Sequence, residues 1–188
     1  MKNKTRDIAF VGLYAALAIV LQYISGLIPF LQMPNGGNID LGVVPIFMAS
    51  YHLGWKTGAL AGILCWLLAW LIGVSGQWFL TLPQYIFDYI MPSLVCGLAS
   101  IFPKIKKIPN TVTGVVIAMI LKYISHVLSG VYWWFPETTY AGSLASWAYS
   151  LSYNLYYNLA TMIVAVVIVP LLVNRLESGT IKFVGLKK

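Results

Sequence analysis

The sequence predicts an all-α integral membrane protein with six transmembrane helices and both termini in the cytoplasm. Three observations carry that prediction. The chain of 188 residues is 60% hydrophobic and only 9% charged, with a mean hydropathy of +0.81; a water-soluble domain of this size cannot cover so much apolar side chain with polar surface. The apolar residues gather into six segments, each but one near the roughly 20 residues that a helix needs to cross the hydrocarbon. With six spans drawn, the cations of the loops fall on one side of the membrane.

The segments are 8–26, 39–54, 57–74, 82–102, 112–130 and 144–173, in a single membrane domain over 1–188. The first runs into a polar loop without a small-residue cleavage site, so it reads as a retained span and not a signal peptide. The second is short and admits a tilted or partly interfacial placement. Turn residues punctuate the gaps in "PNGGN", "GWKTG", "GVSGQ", "FPKIKKIPN" and "WWFPETTYAG". No internal repeat or low-complexity tract interrupts the pattern.

Charge fixes the expected orientation. Lys2, Lys4, Arg6, Lys56, Lys104, Lys106, Lys107, Arg175, Lys182, Lys187 and Lys188 share one side, the opposite loops hold no Lys or Arg, and Lys122 lies inside the fifth segment. Cytoplasmic loops collect cations, which places both termini inside. Removing the short second span scatters the charges, so the asymmetry supports six spans. The net charge of +7 is thereby a matter of topology beside a lipid bilayer and calls for no nucleic acid. Cys65 and Cys96 sit in apolar runs, where they read as packing residues without metal-ligand or disulfide spacing.

Polar groups inside the spans point to a site, because an intramembrane charge is costly and usually faces a cavity or a partner. Asp88 lies about 9 Å below the outer start of the fourth helix, and His126 about 6 Å below the outer end of the fifth. Tyr149 and Asn154 lie about 7 and about 15 Å down the sixth. Tyr85, Tyr89 and Trp134 add ring faces to this layer, which has the composition of a small-molecule pocket. Each residue has a plainer role available: Asp88 as an ion-pair partner of Lys122, His126 and Asn154 as interhelical hydrogen bonders, and the aromatics as an interfacial belt. Lys122, one turn below His126 on the same face, could cap the pocket floor, neutralise Asp88 or orient His126. One carboxylate among rings, with no arginine cluster, favours a flat cationic or electron-poor ligand. No nucleophile elbow, HExxH, P-loop or paired-acid motif is present, so the chain reads as a non-enzyme without its own ATPase, and no cofactor or metal is implied.

Four stretches together carry a resemblance: "MPNGG" (33–37), "FLTLPQYIFDY" (79–89), "HVLSGVYWW" (126–134) and "YSLSYN" (149–154). With these, the chain resembles the ThiT/YuaJ family, the thiamin-specific S-components of energy-coupling factor (ECF) transporters, over about 12–173. The resemblance implies a six-helix membrane subunit that binds thiamin from outside. It also implies partners, namely a transmembrane coupling subunit and two ATPase subunits, whose ATP hydrolysis topples the subunit to deliver the vitamin. By position it implies that Asp88 binds the aminopyrimidine beside Tyr89, where relatives often carry glutamate. It implies His126, Tyr149 and Asn154 as further ligand contacts, Trp134 stacking on the ligand, and Gly130 letting the ligand approach the backbone. Trp78 and Trp66 stand as additional pocket aromatics. Some relatives use a tryptophan in the first outer loop; this chain has none between Leu21 and Gly54, which leaves Met33 or Asn35 as replacements.

Helix one carries "GLYAALA", with Gly12 and Ala16 four apart and Ala15 beside them. Small residues at that spacing let helices approach closely, and the resemblance makes them the docking stripe for the coupling subunit; packing within the monomer is the other reading. Three rival functions stay open at this point: an S-component for another flat vitamin or a precursor such as hydroxymethylpyrimidine, an intramembrane enzyme, and a structural subunit with no ligand.

Overall fold

The structure, a computed structural model, describes residues 4–34, 36–75, 78–179 and 181–187. Asn35, singled out above, lies outside the described residues, as do Gln77 at the end of "GVSGQ", Lys2 and Lys188. Among the described residues there is no strand beyond two isolated bridges. The elements are α1 (Lys4–Leu27), α2 (Val43–Leu53), α3 (Trp55–Leu71), α4 (Leu82–Tyr85), a π-helical turn (Ile86–Ile90), α5 (Met91–Gly97), α6 (Asn110–Tyr132) and α7 (Leu144–Glu177), with 3₁₀ turns at Pro29–Leu31 and Ala99–Ile101. Three helices are long and apolar enough to cross a membrane, α1, α6 and α7, while α2 and α3 are shorter and apolar. α7 has 34 residues and runs past the expected end at 173; at 1.5 Å per residue it is about 51 Å long.

Two spans differ from the expectation. The second is shorter still, 11 residues, and every one of them is buried. It fills the middle of the bundle, packed against α1, α3, α5 and α7. A helix apolar on all faces is what such a place requires. Gly54 ends it at φ 91°, a left-handed conformation that glycine adopts without strain, and α3 starts at the next residue. The fourth span, expected as one helix over 82–102, is broken into α4, the π turn, α5 and the 3₁₀ turn.

The core gathers Ile46, Phe47 and Tyr51 of α2 with Val115 and Met119 of α6 and Val169 of α7. Glycines set how closely the helices approach. A Cβ on Gly58 would lie 2.5 Å from both Ser50 Cα and the Gly97 carbonyl oxygen, so α2, α3 and α5 meet backbone to backbone, the close packing that small residues four apart allow (Gly58 and Gly62). At the far end the chain's last described residues close over α2. Val184 and Gly185 donate backbone N–H bonds to the His52 and Tyr51 carbonyls at 3.1 and 2.8 Å, and Asn110 Nδ2 donates to the Gly185 carbonyl at 2.8 Å. These bonds satisfy carbonyls that a helix C-terminus leaves open.

In α1 the small residues divide between two faces. Gly12 and Ala16 are exposed, and a Cβ at Gly12 would meet nothing within 4 Å. Ala15 is 0% exposed and packs inward, so it is a core residue and not part of an outward stripe. Gly97→Val is expected to lower the stability of the detergent-solubilised protein by ~1–3 kcal/mol through overpacking, while Gly12→Ala leaves it unchanged or slightly raised. Thermal unfolding followed by circular dichroism checks both, and equal midpoints for the two variants would contradict the packing described.

Candidate functional site

The broken fourth span is where the site begins. In the π turn the Met91 N–H reaches back five residues to the Ile86 carbonyl. The next donor in that register would be residue 92, which is proline and has no N–H. The Phe87 carbonyl thus lacks its helical partner, and Ser125 Oγ of α6 donates to it instead at 2.6 Å. The residue that follows, Asp88, is pinned against α6 by this exchange.

The Asp88 carboxylate is satisfied from three sides. Oδ2 accepts from Gln84 Nε2 at 2.7 Å and from Trp134 Nε1 at 2.6 Å, and Oδ1 lies 3.7 Å from His126 Nδ1. Gln84 is 0% exposed, with its other end accepting from the Leu80 N–H at 3.0 Å; α4 is capped by Thr81 Oγ1, which accepts from the Gln84 N–H at 3.3 Å. Lys122 does not pair with Asp88. Its Nζ lies 3.2 Å from His126 Nε2, on the far side of the imidazole. Of the three roles open to Lys122 in the sequence, orienting His126 is the one that this contact matches.

Asn154 of α7 meets the same layer. Its Nδ2 donates to the Ser150 carbonyl at 2.9 Å and to Ser150 Oγ at 3.1 Å, with the His126 carbonyl at 3.5 Å. Its Oδ1 accepts from Tyr157 OH, and the Tyr157 ring stands edge-on to His126 at 5.9 Å. Tyr149 stacks on Tyr153 at 5.5 Å. Tyr153 OH donates to the Gly36 carbonyl at 2.7 Å, and a Cβ at Gly37 would lie 3.1 Å from the Tyr157 ring. The "MPNGG" loop therefore rests on the same face of α7. Tyr153 and Tyr157 extend the polar face of α7 by the i, i+3 and i+4 spacing from Asn154 and Tyr149.

The aromatic residues form two groups. Trp78 is edge-on to Trp134 at 6.4 Å, beside the carboxylate. Tyr89 packs on Tyr85 at 4.7 Å and Trp66 is edge-on to Tyr85 at 6.2 Å; the buried Trp66 Nε1 has no hydrogen-bond partner. Gly130 lies at the crossing of α6 and α7. A Cβ there would collide with Ser150 Oγ and lie 3.0 Å from Ser150 Cβ, so its missing side chain serves the crossing of α6 and α7 and is filled by Ser150.

Two cavities lie apart from this chemistry. One of about 420 Å³ is lined by Phe87, Leu128, Tyr132 and Trp133, and one of about 290 Å³ lies between α1, α2 and α7. Both linings lack any charged group. Neither reaches Asp88, whose carboxylate is covered by Gln84 and Trp134 in this conformation. Among the described residues no group of three or more His, Cys, Asp or Glu could hold a metal ion.

Comparison with known proteins gives a consistent result. A family model described as thiamine transporter protein (Thia_YuaJ) matches residues 8–180. Thiamine transporter ThiT of Bacillus subtilis is 31% identical over an alignment of 159 residues, with 76% of this chain and 77% of that protein covered. The solved structure of ThiT from Listeria monocytogenes shares the fold with a TM-score of 0.72 at 20% identity, covering 93% of this chain and 96% of that one.

Gln84→Leu is expected to cost ~1.5–3 kcal/mol of stability, the value of a hydrogen bond to a charged group, because it leaves the buried carboxylate with one donor fewer. Trp134→Phe should cost less, since Trp134 is 36% exposed and water can reach the freed oxygen. Chemical unfolding of the two variants side by side checks the order, and the reverse order would remove Gln84 as the main support of Asp88.

Proposed function

This chain belongs to the thiamine transporter protein (Thia_YuaJ) family, and from that premise we propose that it is the thiamin-binding S-component of an ECF-type importer. Thiamin enters from outside and binds at Asp88. The subunit then delivers it through a transmembrane coupling subunit driven by two ATPase subunits. The observation that carries this reading is the Asp88 carboxylate held among Gln84, Trp134 and His126 in a bundle whose long helices are apolar enough to span a membrane.

The chemistry supports the ligand. Thiamin has an aminopyrimidine and a cationic thiazolium joined by one carbon. Its amino group is a donor for a carboxylate, and its cationic ring gains from aromatic faces. In the proposed complex the amino group takes the place of the Trp134 N–H on Asp88, and the indole turns its face to the ligand. Trp134 lies just beyond the end of α6, after Trp133 with non-helical φ −132° and ψ −23°, where a change of rotamer disturbs no helix. Trp78, Tyr89 and Tyr149 provide further ring faces, Asn154 fixes the floor, and Trp66 offers its free N–H as a donor. In this reading Met33 or Asn35 of the first loop replaces the tryptophan that some relatives use.

The orientation proposed is that of the charge pattern, with both termini in the cytoplasm of a bacterial cell and the Asp88 end outward. Gly12 and Ala16 on the exposed face of α1 form the surface for the coupling subunit.

Asp88→Asn is expected to weaken thiamin binding by at least ~1.5–3 kcal/mol, about tenfold or more, in a titration of purified protein followed by tryptophan fluorescence. Unchanged affinity in a folded variant would exclude Asp88 from the site. Tighter binding of hydroxymethylpyrimidine than of thiamin would assign the subunit to the precursor instead. Gly12→Trp is expected to leave thiamin binding intact and to abolish uptake in cells that also make the coupling and ATPase subunits; uptake that survives would refute docking on this face.

A further inference from the structure

His126 stands between opposite charges. Its Nδ1 faces Asp88 Oδ1 at 3.7 Å, and its Nε2 lies 3.2 Å from Lys122 Nζ. Lys122 is only 7% exposed. An ammonium group carries donors and no acceptor. A ring nitrogen can accept a hydrogen bond from it only through a lone pair, so the proton of the neutral imidazole belongs on the other nitrogen, Nδ1, on the side of Asp88. An imidazolium would set an N–H against the ammonium, two like charges about 3 Å apart where little water can screen them.

We propose that Lys122 is a positioning residue that holds His126 as the neutral Nδ1–H tautomer and thereby keeps the charge of Asp88 free for a cationic ligand. The inference rests on the thiamin reading for the identity of that ligand. Lys122 touches no ligand and acts through the imidazole. If His126 were doubly protonated, it would neutralise Asp88 and remove the attraction for a thiazolium.

The groups around His126 agree with this assignment. Asp88 faces it from the π turn, Lys122 from its own helix, and Tyr157 from α7. Asp40 is also buried, ahead of α2. Asp40 is itself held by the Gly42 N–H at 2.8 Å and the Gln22 amide at 3.4 Å, and its backbone N–H donates to Thr161 Oγ1 at 3.1 Å. The Tyr157 hydroxyl is engaged by Asn154.

The test uses the full chain in detergent with ¹⁵N-labelled histidine. The chain has two histidines, and a His52→Gln variant assigns the spectrum. At about pH 7, near the ordinary histidine range, the ring nitrogens of His126 should show the Nδ1–H pattern. An Nε2–H or imidazolium pattern would overturn the inference. Thiamin is then titrated between about pH 8 and about pH 6. Wild-type affinity should stay flat. In Lys122→Met the imidazole is free to take a proton beside Asp88, so affinity should fall as pH drops, by up to about tenfold per pH unit below the histidine pKa. Lys122→Arg, also a pure donor, should restore the flat profile. A flat profile in Lys122→Met would also overturn the inference. If Lys122→Met does not fold, the wild-type tautomer decides alone. Wild-type protein that binds no thiamin at any pH would sink the functional reading instead, while the tautomer measurement would stand.

Discussion

A carboxylate inside a membrane bundle must be satisfied by protein, and the arrangement of half of this molecule follows from how Asp88 is satisfied. An unpaired buried charge costs several kcal/mol, so its partners must come from elements that hold still. Gln84 is fixed at both ends within α4. His126 comes from α6, less than two turns from its C-terminal end. The π turn that presents Asp88 would leave the Phe87 carbonyl open above Pro92, and Ser125, the neighbour of His126, closes it. Two residues adjacent on α6 thus serve the backbone and the side chain of the same short turn. π turns inside helices recur at functional sites, and here the proline gives the turn a specific cause.

The wholly buried α2 is the other constraint. It is too short to define a membrane span by length, yet it touches α1, α3, α5 and α7. α3 reaches it through Gly58, which also meets Gly97 of α5, and its C-terminal carbonyls are capped by residues 184 and 185. The segment that leads into it carries Asp40, tied to Thr161 on α7. α7 in turn carries Asn154 and Tyr157 beside His126. The same helix therefore links the core helix and the polar layer, so a change that loosens α2 can reach the site through α7 without touching a polar residue.

Much of this was legible in the sequence because membrane helices announce themselves by length and hydropathy. The rarity of intramembrane charge likewise drew attention to Asp88, His126 and Asn154, which the structure brings into one layer. The break in the fourth span was not legible from hydropathy, which is blind to backbone register; Pro92 five residues after Phe87 was the available signal. Gln84 was passed over because a lone glutamine in an apolar run has no charge to draw the eye, although it lies one helical turn before Asp88 and on its face. Ala15 was misplaced because small residues mark close packing without saying which face packs. Gly130 shows the same limit: a missing side chain makes room, but the sequence does not say for what, and Ser150 lies against it. The Gly58–Gly62 pair shows the converse, a small-residue motif whose partners, Gly97 for Gly58 and Ser93 for Gly62, lie far along the chain on α5.

The covered state of Asp88 bears on what would drive binding in the proposed complex. The carboxylate already has donors from Gln84 and Trp134, so a ligand amino group that displaces the indole N–H exchanges one hydrogen bond for another. Such an exchange contributes little net free energy by itself. The gain must then come from terms that the Trp134 N–H does not supply: burial of two ligand rings against aromatic faces, at roughly 25 cal/mol per Å² of apolar surface, and attraction between a cationic ring and a charge that His126 leaves uncancelled. A neutral pyrimidine could make the exchange but would lack the second term. On this argument, selectivity for a cation resides less in the donors around Asp88 than in the charge state of the imidazole behind it, and Lys122 is the residue in contact with that imidazole's other nitrogen.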